Sequence, residues 1–213
     1  MSATASQDRD YQAEHPEAYG SKGLRVVDKA GIYLRTRSLR KIVASERPQR
    51  MLDLGCGYQA NVIKSLSGQI PHLTGVDLEV DPEARKIAGA EFFEGPIEVA
   101  FETFEPRSFD LVTILSVLEH IPEPQAVLDG IHRVLAPGGT AIVHVPTWLG
   151  KPVLEWLAFK RGMGTASIND HRMYYRIADL WPMMIKAGFR GQDVKMRYHT
   201  LGCALTATAR PTV

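Results

Sequence analysis

Apolar residues follow two alternating rhythms along this chain. Short runs dense in Leu, Ile, Val and Phe read as buried strands at Met51–Leu54, Leu73–Val76, Glu91–Phe93, Phe109–Leu115 and Thr140–Val145, with a final pair near Phe189–Tyr198 and Leu201–Ala209. Between them lie segments that predict helices over Asn61–Leu66, Pro82–Ala88, Pro124–Leu135, Lys151–Lys160 and Arg176–Ala187. Ahead of the first strand, Leu24, Val27, Leu34, Leu39, Ile42 and Val43 fall at helical spacing within residues 21–46, and Pro48 ends that helix. Residues 1–20 are polar and short of aliphatics, and are expected to be mobile or ordered only by a ligand.

Strand alternating with helix predicts a doubly wound α/β domain, a mostly parallel sheet with helices on both faces. The last two strands have only Thr200, Leu201 and Gly202 between them, which predicts a closing antiparallel hairpin. With 213 residues, 45% of them hydrophobic, one domain suffices to build a core. The segment 148–175 is an insertion that this alternation does not require. The longest stretch free of Asp, Glu, Lys and Arg, Val134 to Gly150, is interrupted by Pro137, Gly138, Gly139 and Pro146, so it cannot form a bilayer-spanning helix. The polar opening lacks a signal-peptide pattern, and the expected location is cytoplasmic. Cys56 and Cys203 are too few for a disulfide framework and lack zinc-ligand spacing, so no metal site is expected.

Net charge is only +1, but its distribution is uneven. Lys22–Arg50 holds nine basic residues against two acids, Met51–Gly130 four against fourteen, and Ile131–Val213 eleven against four. Such blocks are either solvated surface, or an acidic surround for a cationic ligand between flanks that meet an anionic substrate or a membrane surface.

The chemistry concentrates in MLDLGCGYQA, residues 51–60, where a strand should end and a helix begin. Gly55, Gly57 and Ala60 read G-x-G-x-x-A, and Asp77 follows Gly57 by 20 residues at the end of the next strand, which meets the formal dinucleotide fingerprint. An NAD-dependent oxidoreductase is therefore one reading. Asp53 argues against it, because a carboxylate two residues before the first glycine repels a pyrophosphate and attracts an ammonium. At ~4 Å and an effective dielectric near 20, that sign difference is on the order of 4 kcal/mol each way before solvation. S-adenosylmethionine has a ribose for Asp77, an α-ammonium for Asp53, a sulfonium that acidic surroundings favour, and no phosphate.

LDLGCG, then GVDLE, FDLVTILSVLEHIPEP and RVLAPGG, resemble the successive motifs of class I S-adenosylmethionine-dependent methyltransferases, closest to the small "methyltransferase domain 11" group. The resemblance runs from about Met51 to Val145 and more weakly through HRMYY and LWPMMIKAGF. It implies a seven-stranded sheet ending in an antiparallel hairpin. It also implies that Asp53, Gly55 and Gly57 meet the methionine part of the cofactor, Asp77 the ribose and Leu78 the adenine, with Ser116 lining the cleft. Two positions depart from the pattern: Gln59 stands where many relatives have a third glycine, and Pro96 where many have an Asp for the adenine amino group. Backbone groups around Gly95 and Ile97 are expected to hold adenine instead.

Methyl transfer from a sulfonium is an in-line displacement in which alignment is worth roughly 7–11 kcal/mol, and a base is needed only for a weakly acidic acceptor. His144, near the end of the fifth strand, is a candidate base or else a hydrogen-bonded strand histidine. His171 and Tyr174 lie in NDHRMYY and are candidates for a substrate-facing role. The apolar run Trp148, Leu149, Val153, Leu154, Trp156, Leu157 and Phe159 reads as a lid over the cleft or as an interfacial element that gives peripheral membrane contact to a lipid-linked substrate. No nucleic-acid motif occurs. The expected activity is S-adenosylmethionine-dependent methylation of a small molecule, a sugar or a lipid-linked glycan precursor. A methyltransferase-like binding protein without turnover is the other alternative to the oxidoreductase.

Overall fold

The structure, a computed structural model, describes residues 39–152 and 172–211. The expectations for residues 1–20, for most of the helix over 21–46 and for 153–171, His171 included, lie outside the described residues.

Seven strands form one sheet: β1 (Arg50–Leu54), β2 (His72–Asp77), β3 (Ala90–Glu94), β4 (Phe109–Leu115), β5 (Leu135–Pro146), β6 (Val194–His199) and β7 (Ala204–Ala209). Their order is β3-β2-β1-β4-β5-β7-β6. The first five strands pair in parallel, while β7 runs antiparallel to both β5 and β6. The closing hairpin thus forms as expected, with its turn at Thr200–Gly202. The strand order reverses between β1 and β4, and a crevice for ligands opens at the carboxyl ends of these two strands.

Residues 39–46 are helical. Four further α-helices lie wholly within the described residues: α1 (Asn61–Leu66), α2 (Ile97–Thr103), α3 (Pro124–Val134) and α4 (Ile177–Lys186). Strand residues alternate between two cores. Leu52, Leu54, Val112, Ile114 and Val143 pack with α2, α3 and α4 on one face. Met51, Leu73, Leu111 and Ile142 pack with Leu39, Val43 and α1 on the other. Each fully buried Leu, Ile or Val contributes roughly 1.5–3 kcal/mol, which fixes the pairing register because a one-residue slip would exchange the two faces.

Two local expectations differ from the fold. The segment over Pro82–Ala88 forms only a 3₁₀ turn at Ala84–Lys86, where Ala84 is the sole buried residue and gives a longer helix nothing to pack. Conversely, α2 was not expected: Ile97, Ala100 and Phe101 are buried at i, i+3 and i+4, directly after the Gly95–Pro96 turn.

Candidate active site

β1 ends in the turn Gly55–Cys56–Gly57. Gly55 and Gly57 have φ of 70° and 76°, which only glycine adopts without strain, and the N–H groups of Gly55 and Cys56 both donate to the carbonyl of Val76. The two glycines serve different ends. A Cβ on Gly55 would stand 2.3 Å from Cγ2 of Val117, whereas a Cβ on Gly57 would have none of the described residues within 4 Å. Gly55 therefore accommodates the loop after β4, and Gly57 leaves open space.

Val117 is carried there by Ser116, which has a φ of 59° and donates its N–H to the carbonyl of His144 at 2.8 Å. A serine in the left-handed region at the end of a central strand is strained. Ser116 directly follows β4, and the contact of the next residue, Val117, with Gly55 could not be read from local pattern.

Asp53 is the most unusual group in the site. It is 2% exposed. Its Oδ1 accepts the hydroxyl proton of Thr113 at 2.5 Å, and among the described residues its Oδ2 has no hydrogen-bond partner. Burial pushes its carboxyl up to about 7; the Thr113 hydrogen bond opposes the rise, and the charge of Asp77 adds to it. The Cys56 thiol is pushed up by burial and by the charges of Asp53 and Asp77, and so stays protonated.

Asp77 accepts the N–H of Gly57 at Oδ2 (2.6 Å) and of Leu78 at Oδ1 (2.9 Å). Its carboxyl is raised by burial, against the pull of the Gly57, Leu78 and Glu79 amides. A carboxylate offers about four acceptor sites, so these three amides still leave room for a ribose hydroxyl. Gly95, with a φ of 153°, donates its N–H to the carbonyl of Asp77, which brings the end of β3 beside the end of β2. The side chain of Ile97 is buried in the core beneath α2, so only its main chain can face a ligand. Glu94 holds the neighbouring loop, accepting the N–H of Val80 and pairing with Arg85 at 2.6 Å.

His144 lies in one cross-strand row with Leu115 and Thr206 at the carboxyl end of the sheet. Its Nδ1 is 2.9 Å from Oγ1 of Thr206. Tyr174 is buried and stands as a wall: its ring centroid is 5.4 Å from that of Trp148, and Lys151 Nζ lies 5.5 Å and 5.7 Å from the Trp148 and Tyr174 rings. The loop after β5 is tied to the hairpin turn, since Thr147 donates its N–H to Cys203 (3.1 Å) and its hydroxyl to Gly202 (2.5 Å). Tyr175 donates its N–H to Pro146, and Arg172 to Glu119, so residues 172–175 close over the ends of β4 and β5. Among the described residues no group of three or more His, Cys, Asp or Glu is arranged to hold a metal, and no helix is long and apolar enough to cross a membrane.

A buried acid with one unpartnered oxygen, next to a glycine turn with open space above it, suits a cationic ligand and opposes a pyrophosphate. The family described as Methyltransferase domain matches residues 30–194 of this chain. The chain belongs to that family. It is an S-adenosylmethionine-dependent methyltransferase, and the oxidoreductase reading of the glycine pattern falls. The chain is 30% identical over 176 residues, 76% of its own length and 69% of the relative, to a ubiquinone biosynthesis O-methyltransferase of Xylella fastidiosa. Two solved structures share the methyltransferase fold. An S-adenosylmethionine-dependent methyltransferase of Archaeoglobus fulgidus has a TM-score of 0.63 at 14% identity, covering 84% of this chain and 92% of that one. The phosphoethanolamine N-methyltransferase 2 of Haemonchus contortus, in complex with S-adenosyl-L-methionine, has a TM-score of 0.58 at 18% identity, covering 78% and 49%.

Proposed function

We propose that this methyltransferase is a cytoplasmic enzyme that methylates a hydroxyl group on a small molecule with an apolar body. The observation that carries the cofactor side is Asp53, buried with Oδ2 unpartnered beside the open face of Gly57. In this reading Asp53 holds the α-ammonium and the Gly55–Gly57 main chain lies along the methionine. Asp77 takes the ribose hydroxyls; Leu78 and the main chain at Gly95 and Ile97 border the adenine, and Ser116 lines the cleft. When bound, S-adenosylmethionine supplies an electrophilic methyl group.

On the acceptor side, relatives named as O-methyltransferases favour a hydroxyl, and a weakly acidic hydroxyl benefits from a base. His144 is assigned that role: its Nδ1 is occupied by Thr206, and it lies two rows beyond Thr113 and Ile142, toward the carboxyl end. Tyr174, Trp148 and Lys151 form the acceptor wall, with His171 a second candidate from the same segment.

An acceptor carried on a lipid is favoured by the outer edge of this wall. Trp148, Leu149 and Leu201 are 53%, 65% and 98% exposed, and neither Thr140–Pro152 nor Val194–Val213 contains an acid. Apolar tips among cations alone suit peripheral contact with an anionic membrane surface.

Calorimetry with S-adenosylhomocysteine and NAD tests the cofactor half: the sulfur ligand is expected to bind in the micromolar range or tighter, and NAD binding more tightly would overturn the assignment. Transfer of labelled methyl to panels of phenols, prenylated phenols, sugars and amines tests the acceptor half. Transfer confined to amines would remove the hydroxyl and, with it, the need for His144.

A further inference from the structure

The two oxygens of Asp53 are in unequal positions, and the inequality originates in β4. Asp53 and Thr113 are paired in register across β1 and β4, and both are fully enclosed. The single hydroxyl proton of Thr113 has two acceptors within range, Asp53 Oδ1 at 2.5 Å and the Leu52 carbonyl at 3.5 Å. The shorter contact takes the proton, because the longer one lies at the limit of hydrogen bonding. If Asp53 carried its own proton on Oδ1, the threonine would have to accept there and turn its hydrogen toward the distant Leu52 carbonyl. A proton on Asp53 would therefore sit on Oδ2, and the hydrogen bond from Thr113 lowers the cost of releasing it, with Oδ1 tied to the strand and Oδ2 left over.

We infer that Thr113 is a positioning residue for the cofactor: by donating to Oδ1 it holds Asp53 in the orientation and charge state that present Oδ2 to the cofactor's α-ammonium. The inference rests on the assignment of Asp53 to that ammonium. A β-branched residue suits the place, since its methyl packs in the strand while its hydroxyl is held at χ1 toward β1. The titratable groups that act on Asp53 among the described residues are Asp77, from the end of β2, and the Cys56 thiol in the turn. On the same face of the sheet lie the apolar Met51, Leu111 and Ile142, and His144 two residues beyond Ile142 on β5, paired through Nδ1 with Thr206.

The test is the affinity for S-adenosylhomocysteine, measured by calorimetry from about pH 5.5 to about pH 9, for the wild type and for Thr113→Ser, Thr113→Val and Asp53→Asn. Wild-type affinity is expected to fall as the pH drops through about 7. Thr113→Ser keeps the donor and should follow the wild-type curve. Thr113→Val removes it, so the midpoint moves to higher pH; each unit of movement weakens binding on the order of tenfold at the acid end. If Thr113→Val weakens binding by one factor at every pH, or not at all, Thr113 is only a packing residue and the inference is overturned. Thr113→Ala gives the same comparison should the valine variant melt below the assay temperature. Wild-type affinity and pH profile in Asp53→Asn would overturn the ammonium assignment itself, an outcome distinct from failure of the threonine.

Discussion

The carboxylate of Asp77 accepts the amide proton of Gly57 at 2.6 Å, so the end of β2 and the glycine turn after β1 form a single unit. Asp77 thus shapes the turn in addition to the ribose-binding role proposed for it. Asp77→Ala is expected to weaken S-adenosylhomocysteine binding by ~1.5–3 kcal/mol, the worth of hydrogen bonds to a charged acceptor, and also to lower the melting temperature of the ligand-free protein. Titration calorimetry and a thermal melt separate the two effects. Lost stability with unchanged affinity would remove the ribose assignment while leaving the turn contact intact.

Gly55 and Gly57 share a left-handed backbone but differ in what surrounds them. Alanine at either position costs about 1–2 kcal/mol in backbone strain. At Gly55 it also collides with Val117, so Gly55→Ala should lose further stability. At Gly57 it meets none of the described residues, so Gly57→Ala should fold with a modest loss and still bind cofactor at least tenfold more weakly, a difference of ~1.4 kcal/mol. Equal cofactor affinity in Gly57→Ala and wild type would mean that the open face of Gly57 is not the ligand's path.

Asp53 makes the ligand-free fold less stable as the pH rises. Its folded value of about 7 stands above the ordinary carboxylate range, so the folded state holds a proton that the unfolded state has released. The stabilisation is present in full below the unfolded value of roughly 3.9 and is lost as pH rises through the folded one, by an upper limit of about 4 kcal/mol. Chemical denaturation between about pH 5 and about pH 8 should show this decline in the wild type and a much flatter profile in Asp53→Asn. The asparagine variant should be the more stable at about pH 8 and the weaker cofactor binder. A wild-type profile that rises over this range would contradict the buried state of Asp53.

In the proposed function His144 serves the acceptor, so its loss should separate turnover from cofactor binding. His144→Ala is expected to lower kcat by on the order of 10²–10⁴ for a phenolic acceptor, while affinity for S-adenosylhomocysteine changes less than about threefold. Thr206→Val, which removes the partner of Nδ1, should fall between wild type and His144→Ala. Unchanged kcat in His144→Ala would return the residue to a purely strand-building role and move the search for a base to His171.

Much of the fold could be read along the chain. β4 over Phe109–Leu115 and α1 over Asn61–Leu66 have the bounds expected from their patterns, because each is a run whose period matches its burial. The hairpin was legible from two apolar runs separated by Thr200–Gly202. Ile97–Thr103 was not, since its buried stripe spans only two helical turns and follows a Gly-Pro pair that signals an irregular turn. At the site, Asp53, Gly55, Gly57 and Asp77 were identifiable because they lie within or just after neighbouring strands at motif spacing.

What the sequence alone determined is the set of groups that local chain geometry brings to the carboxyl ends of β1 and β2: an acid before a glycine turn, and a second acid twenty residues on. Tertiary structure alone decided how that set is tuned. Thr113 is 60 residues from Asp53, and Val117 reaches Gly55 across the same gap between β1 and β4. The packing of two cores on opposite faces of the sheet sets the register of β1 against β4, and no period within either strand encodes it. That register puts a hydroxyl on one oxygen of Asp53 and leaves the other without a donor among the described residues.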